Sequence, residues 1–174
     1  MDNRLEKGTF ASNGLIVEKT TTEKVSPHSP VEKSSNLPTT HKCVIIVDHT
    51  MAIGFIANTA SVLSLSIGKQ HPEIIGKDIN DSDGHNHHGI TILPVPVLKG
   101  TAPLLHHLRE QVRPYEHQVT VVDLIDTTRT TQTYMEYSKQ MLSTPTEQLI
   151  FCGMALYGPK KLVNKFTGNL GLLR

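Results

Sequence analysis

The sequence lacks tryptophan and holds four tyrosines and four phenylalanines among its 174 residues. Few aromatic faces are therefore available for stacking against unpaired bases, as proteins that bind single-stranded nucleic acid require. The formal net charge is only +1, so the chain as a whole has no field that would draw it to a polyanion. Nucleic-acid binding would have to depend on a local cluster of basic residues.

Cysteine is also scarce, since Cys43 and Cys152 are the two in the chain. Each lies within an apolar run and they form no C-x-x-C pair, which excludes a zinc ribbon and favours two buried thiols over a disulfide. The sequence also lacks the run of about 20 apolar residues that spans a bilayer. Residues 1–10 have no apolar core of a signal peptide. We therefore expect no membrane association and a cytoplasmic location.

Two regions of different composition divide the chain. Residues 1–40 are rich in serine, threonine, proline and balanced charges. Because little apolar surface is available there to offset the entropy lost on ordering, this composition predicts a disordered N-terminal tail. Residues 42–174 are sufficient for a single domain with its own core.

Strand-like and helix-like segments alternate through residues 42–174. Runs rich in β-branched and other apolar residues, typical of strands, lie at 43–47, 90–97, 118–125 and 148–157. Helix-like segments follow them at 54–67, 101–113, 131–142 and 159–166. This alternation predicts an α/β fold in which helices flank a small, mixed four-stranded sheet. The polar, turn-rich segment 69–89 is long for a loop of a compact domain, which makes it a candidate functional loop.

The predicted helix over 54–67 has almost no charge. Small residues recur along it at spacings of three and four, which place them on one ridge: Ala57, Ala60, Ser61, Ser64 and Gly68. Because small side chains permit close approach, we expect this ridge to face the sheet and the helix to be largely buried. Gly68 is the predicted C-cap.

Two polar residues near the first strand are candidate catalytic residues. Asp48 ends that strand, and the carboxyl ends of strands face the ligand crevice in open α/β sheets. It could act as a general base or orient another group, or it could cap the following turn. Asn58 lies in the first turn of the next helix, where its amide either bonds to backbone or points into a site. The residues alone favour neither role for Asn58.

The C-terminal stretch is free of acidic residues after Glu147 and carries Lys160, Lys161 and Lys165. Lys160 and Lys161 follow Pro159 at the start of the last predicted helix, where free N–H groups and the helix dipole attract anions. Cations are unfavourable there for the helix alone. A small anionic ligand would complete such a site, and solvated surface lysines are the alternative.

The loop over 69–89 contains His85, His87 and His88. Because His87 and His88 are adjacent, they cannot both face one ion from a regular helix or strand, so the pattern favours no metal site. A ligand-contacting role for His87 and His88 and a solvated loop both stay open, as does metal binding by a flexible, glycine-containing loop in which Asp81 and Asp83 precede the histidines. The sequence has no Walker phosphate loop and no G-x-G-x-x-G fingerprint, so we expect no nucleotide or other cofactor.

Three separated segments resemble, in order, the family of domains of unknown function numbered two thousand. They are KCVIIVDHTMAIGFIANTASVLSLSIGK, HHGITILPVPVLKG and ALYGPKKLVNKFTGNLGLLR, and the likeness extends over residues 42–174. That family is similar in fold to type-II peptidyl-tRNA hydrolases, which release a peptide from tRNA by cleaving its ester. The resemblance implies a type-II peptidyl-tRNA hydrolase-like fold and an RNA-linked ester as a candidate partner.

The chain departs from those hydrolases at two positions. They place a lysine after the glycine that opens the first helix, where this chain has Phe55, and a glutamine where Asn58 aligns. The missing lysine is a cation that could bind phosphate or stabilise an oxyanion. Two functions therefore stay open: a ligand-binding or hydrolase-like domain with an anion-facing cleft, and a non-catalytic binding or regulatory module that keeps the fold. Either is compatible with a homodimer.

Overall fold

The computed structural model describes residues 40–174, so the tail predicted over 1–40 lies outside the described residues except for Thr40. The strands are β1 (His41–Asp48), β2 (Ile79–Asn80), β3 (Asn86–His87), β4 (Val97–Gly100), β5 (Thr120–Ile125) and β6 (Phe151–Pro159). The α-helices are α1 (Ile53–Gln70), α2 (Ala102–Val112), α3 (Tyr134–Ser143) and α4 (Lys160–Thr167). Over residues 40–174 no helix combines the length and the hydropathy needed to cross a bilayer.

Within the described residues, four strands form a mixed sheet in the order β4-β1-β6-β5. Strand β1 runs parallel to β4 and antiparallel to β6, and β5 runs antiparallel to β6. The two central strands are continuous apolar runs because helices cover both of their faces, and residues 43–47 and 151–158 are buried throughout. The predicted α/β fold with a small, mixed four-stranded sheet is confirmed. Strands β2 and β3 form a separate hairpin.

Alternate residues of β1 enter two hydrophobic clusters, one on each face of the sheet. Val44 and Ile46 pack with side chains of α2 and α4. Cys43, Ile45 and Val47 pack with side chains of α1. Helices α1 and α4 therefore lie on opposite faces of the sheet, which separates the residues that they carry.

Helix α1 contacts the sheet through large side chains rather than through its small ones. Its buried residues follow the three- and four-residue spacing of an amphipathic helix: Ile56, Thr59, Leu63 and Ile67. The predicted orientation of the small-residue ridge is wrong, because Ala57, Ser61 and Ser64 are exposed, and the helix is correspondingly only partly buried.

The close approach of α1 to the sheet comes from a glycine on β6. A Cβ atom at Gly153 would lie 2.5 Å from Cγ2 of Thr59, so a larger residue does not fit beneath the helix. Gly68 does not end the helix, which continues to Gln70. The predicted glycine cap is therefore wrong, and the backbone N–H of His71 closes the helix on Ile67 O at 2.9 Å.

The strand predicted over 90–97 forms only at its far end. Because proline donates no hydrogen bond to a ladder, β4 begins at Val97, directly after Pro96. It lies at the edge of the sheet, and its outer side pairs with residues 171–173. The N–H of Lys99 donates to Gly171 O at 2.8 Å, and the N–H of Leu173 donates to Val97 O at 2.9 Å.

The remaining elements lie near their predicted positions. Thr101 caps α2 as expected, because its side chain accepts a hydrogen bond from the N–H of Leu104 at 3.4 Å. Strand β6 leads directly into α4, and Pro159 is the residue that caps this helix rather than its first helical residue. Cys43 and Cys152 are both free and buried, which confirms the prediction of structural thiols.

Candidate functional site

An open cleft of about 570 Å³ lies along β5, between α1 and α3. Helix α1 contributes residues that are three or four positions apart and so share one face: Phe55, Asn58, Val62 and Ser66. The edge strand contributes residues 122–124, and the segment between β5 and α3 contributes threonines, Gln132 and Arg129. The cleft thus combines apolar walls with convergent polar groups, as sites for small organic ligands do.

Arg129 supplies a positive charge to this cleft. Its guanidinium carbon lies 4.3 Å from the centroid of the Phe55 ring, and its Nη1 donates to Asp126 Oδ1 at 2.7 Å. A 3-10 turn, Asp126–Arg129, brings these two charged residues to the same side because such a turn repeats every three residues. Asp126 engages one of the five guanidinium N–H donors, and among residues 40–174 the others have no partner, so they can bind a ligand.

Asn58 lies one turn of α1 beyond Phe55 and faces the same cleft. Its side chain is exposed, and within residues 40–174 it forms no hydrogen bond. Of the two arrangements that the sequence leaves open for Asn58, the bond to backbone is absent among the described residues, and the residue lines the cleft. An amide there can donate to one ligand atom and accept from another.

The carboxylate among the cleft-lining residues, Asp123, is already paired. Nε of Arg109 donates to Asp123 Oδ2 at 2.7 Å, and Arg109 also binds Glu116. Burial lowers the pKa of Arg109, but the two carboxylates outweigh it and the pKa lies above its ordinary value. Burial and the charge of Asp123 raise the pKa of Tyr137, so this phenol stays protonated and can donate a hydrogen bond.

Asp48 ends β1 as predicted but is not among the residues that line the cleft. Its Oδ1 accepts hydrogen bonds from the backbone N–H of Thr50 at 3.0 Å and from the Thr50 hydroxyl at 2.7 Å. This is the turn-capping role that the sequence holds open beside a catalytic one.

The three predicted anion-binding lysines lie on α4, across the sheet from Asn58, so the structure does not bring the two sets together. The backbone N–H of Lys160 donates to Thr40 O at 2.7 Å, which uses one of the free donors at the start of the helix. Lys161 and Lys165, one helical turn apart, line a separate shallow cavity of about 440 Å³.

Lys165 is also engaged with aromatic side chains. Its Nζ donates to the Tyr115 hydroxyl at 2.7 Å and lies 4.3 Å from the centroid of that ring. Its Nζ is 5.4 Å from the Phe166 ring as well. A cation held over a ring in this way is partly compensated within the chain, whereas Lys161 is exposed to solvent.

His87 and His88 belong to the β2–β3 hairpin and do not line the cleft. Nε2 of His87 lies 3.2 Å from Asp81 Oδ2, and Nδ1 of His88 lies 2.9 Å from Asp78 Oδ2. The two adjacent rings therefore face different carboxylates, as their adjacency in the sequence requires.

The small-residue ridge of α1 forms part of a second groove, of about 840 Å³. Exposed isoleucine and leucine side chains surround it, and Lys69 is its charged residue. A groove so poor in polar groups has little with which to orient a ligand. The cleft beside β5 is therefore the stronger candidate site.

Sequence reasoning missed Arg129, the central residue of this cleft. The usable signal is the polar run that follows Ile125, the carboxyl end of a predicted strand. The same rule that draws attention to Asp48 after β1 applies to Asp126 and Arg129 after β5.

Comparison with known proteins places the chain in a family without an assigned activity. The family model described as "Protein of unknown function (DUF2000)" matches residues 41–174. A solved structure of a protein of unknown function from Agrobacterium tumefaciens strain C58 is similar, with a TM-score of 0.71, 22% sequence identity, and coverage of 77% of this chain and 98% of that one. At this identity the likeness shows the fold alone. No curated protein matches. The chain belongs to the DUF2000 family.

Proposed function

We propose that this domain binds a small organic anion, such as a carboxylate or a phosphate ester, in the cleft between α1 and α3. The observation that carries the proposal is the guanidinium of Arg129, whose carbon lies over the Phe55 ring at 4.3 Å from its centroid, beside the exposed amide of Asn58. Phe55 and Asn58 come from α1 and Arg129 from the turn after β5, and the three converge on one open cleft.

The contact with Phe55 prepares Arg129 for an anion. An aromatic ring 4.3 Å from the guanidinium carbon holds the side chain at the cleft without using any of its N–H donors. Asp126 binds one edge, so another edge is available for the two oxygens of a carboxylate or phosphate. The side chains of Val62 and Leu124 give the ligand's carbon skeleton an apolar wall.

The same contacts favour binding over catalysis. Asp123 is ion-paired with Arg109, Asp48 lies outside the cleft, and the α4 lysines occupy the opposite face of the sheet. A general base and an oxyanion-stabilising group must lie within hydrogen-bond reach of one substrate. The arrangement therefore supports a non-catalytic binding or regulatory module more strongly than a hydrolase.

A thermal-shift screen of the full chain against small carboxylates and phosphate esters tests this proposal. A ligand that binds only the folded state raises the unfolding midpoint as its concentration increases. At a free concentration 100 times its Kd, it adds about 2.7 kcal/mol to the free energy of unfolding. Arg129→Gln should abolish the shift, because charged hydrogen bonds contribute about 1.5–3 kcal/mol each.

Arg113→Gln is the matched control. Arg113 pairs with Glu110 at 2.7 Å, also three residues apart and half-exposed, but it does not line the cleft. Its variant should respond to the ligand as the unmodified protein does. If Arg129→Gln keeps the same ligand-induced rise in the unfolding midpoint as Arg113→Gln and the unmodified protein, the ligand binds elsewhere and the assignment of the cleft is wrong.

Ester hydrolysis is a second candidate, favoured by the position of Arg129. Its guanidinium covers Phe55, where type-II peptidyl-tRNA hydrolases have a lysine, so a cation from another segment could stabilise an oxyanion there. Asp48, which ends β1 outside the cleft, would then have to move towards it to orient or deprotonate the attacking water, and Lys161 would contact the RNA from the opposite face of the sheet.

Incubation with a peptidyl-tRNA separates the two candidates. Turnover that is lost in both Arg129→Gln and Asp48→Asn would establish hydrolysis, whereas anion binding without turnover supports the binding module. If RNA is the partner, tRNA affinity must fall steeply with salt, because each phosphate contact releases counterions. Salt-independent or absent tRNA binding would eliminate the RNA-linked ester.

A further inference from the structure

The β2–β3 hairpin carries metal-ligating side chains that the proposed cleft does not use. Residues 81–87 have the sequence Asp-Ser-Asp-Gly-His-Asn-His. Ligand atoms of Asp81, Asp83 and His85 all lie within 4.8 Å of one another. Nε2 of His87 lies 3.2 Å from Asp81 Oδ2, so a second imidazole borders the same cluster.

The four residues are every second residue of the chain. Residues 81–85 form the tight turn of the hairpin, in which the N–H of Gly84 donates to Asp81 O at 3.2 Å and the N–H of Asp81 donates to His85 O at 3.0 Å, and the pairing of Ile79 with His87 holds the hairpin in register. Gly84 turns the loop with a φ of 87°, a left-handed conformation that glycine adopts without strain. The adjacency of His87 and His88 argues against a metal site, but His88 is not one of these four residues.

Asp81 is fixed so that one of its oxygens faces the imidazoles. Its Oδ1 accepts hydrogen bonds from the backbone N–H of Asp83 at 3.0 Å and of His85 at 2.9 Å. Its Oδ2 lies 3.2 Å from Nδ1 of His85 and 3.2 Å from Nε2 of His87. The bonds to Oδ1 leave Oδ2 as the oxygen that faces both imidazoles.

The spacing and the donor types suit a transition metal. Ligands about 2.0–2.2 Å from a tetrahedral Zn²⁺ lie roughly 3.3–3.6 Å from one another, which is close to the 3.2 Å between Asp81 Oδ2 and each ring nitrogen. An ion could therefore bridge Asp81 Oδ2 and either ring nitrogen with little movement of that pair. Imidazole favours Zn²⁺, Co²⁺, Ni²⁺ and Cu²⁺, whereas Ca²⁺ and Mg²⁺ prefer oxygen ligands alone.

We propose that Asp81, Asp83, His85 and His87 form a binding site for a divalent transition-metal ion such as Zn²⁺. Each imidazole would bind the ion through one ring nitrogen. The site is exposed and on a separate hairpin from the anion cleft. It is therefore independent of the function proposed for that cleft.

Calorimetric titration of the chelator-treated full chain with ZnCl₂ tests the site, on protein without a polyhistidine tag. We expect one saturable high-affinity ion per chain. Asp81→Asn and His85→Ala should each weaken it by at least about tenfold, because even partners outside the coordination sphere change metal affinity by 10–100-fold. These side chains are exposed, so both variants should keep the far-ultraviolet circular dichroism of the folded domain.

His88→Ala is the matched control. His88 follows His87 directly and pairs with a carboxylate in the same way, with Nδ1 2.9 Å from Asp78 Oδ2, but that carboxylate is not part of the cluster. The affinity of this variant should equal that of the unmodified chain. At one equivalent of Zn²⁺, the ring nitrogen resonances of His85 and His87 should shift together in the NMR spectrum.

Three results would overturn the proposal. One is the absence of saturable Zn²⁺ binding by the unmodified chain. The second is an unchanged affinity in Asp81→Asn. The third is an equal loss in His88→Ala, which would indicate unspecific binding to exposed histidines. Anion binding in the cleft should be the same with and without Zn²⁺, so failure of either proposal leaves the other testable.

Discussion

Replacing Gly153 by alanine should destabilise this domain, although glycine-to-alanine changes stabilise proteins wherever the new methyl group fits. Gly153 lies in the central strand β6, beneath α1. The new Cβ would lie 2.5 Å from Thr59 Cγ2 and 3.1 Å from both Ile46 O and Leu63 Cδ1. Thr59 is 3% exposed and β-branched, so it has few alternative rotamers. The helix must move away from the sheet to admit the methyl group.

Two opposing terms set the size of the effect. Reduced freedom of the unfolded chain would stabilise the variant by about 0.4–1 kcal/mol. Overpacking of a filled core costs about 1–3 kcal/mol. The net loss is then roughly 1–2 kcal/mol, or about 2–8 °C in the unfolding midpoint for a chain of this size.

Urea denaturation followed by circular dichroism measures this loss. The midpoint should fall while the slope with urea stays constant, since the surface exposed on unfolding is unchanged. Gly54→Ala, at the start of α1, is the control because no atom lies within 4 Å of its new Cβ. It should leave stability unchanged or raise it by up to about 1 kcal/mol.

A second substitution tests the cause. Thr59→Ser removes the methyl group nearest to the new Cβ, so it should cost less in Gly153→Ala protein than in the unmodified chain. The difference is the coupling free energy of a double-mutant cycle. If Gly153→Ala is as stable as the unmodified protein, the helix does not approach the sheet as closely as described and the reasoning is refuted.

Further predictions concern the cap, the thiols and the ion pair beside the cleft. Thr101→Ala should lower the free energy of unfolding by about 1 kcal/mol in urea, because α2 loses its N-cap. Burial raises the pKa of Cys43 to about 11, and burial and then Asp126 raise that of Cys152 to about 11, so neither thiol should react with iodoacetamide at pH 8 until the protein unfolds. Because these folded-state values are raised, their contribution to stability is present below about pH 9 and lost as the pH rises towards 11; alkaline denaturation of Cys43→Ala should show a shallower loss. Arg109→Ala should destabilise the domain by about 2 kcal/mol in urea, since Asp123 loses its charged hydrogen bond, and an unchanged midpoint would contradict the pairing.

The central strands could be predicted because a strand that is buried on both faces requires a continuous run of apolar residues. Residues 43–47 and much of β6 are continuous apolar runs, and few other structures require such runs. The buried face of α1 could not be predicted in the same way. It depends on Gly153, which is far along the chain and permits a threonine and a leucine to approach the sheet.

The candidate site was predictable in part. Asn58 lies in the first turn of the helix that follows the first strand, and this position in the sequence makes it a candidate site residue. The polar run after Ile125 marks the region of Arg129, but the contact of Arg129 with Phe55 depends on a 3-10 turn that has no clear sequence pattern. The lysines of α4 are close together in the sequence, but their position along the chain does not say which face of the sheet they occupy.

The pairing of residues 171–173 with β4 has a consequence for how copies of this protein meet. An uncovered edge strand offers a row of N–H and C=O groups to any other strand, which is a common start of aggregation and domain swapping. Here the outward groups of Lys99 and Val97 are already bonded to Gly171 and Leu173. The end of the acid-free C-terminal stretch therefore prevents these groups of β4 from pairing with a strand of a second copy.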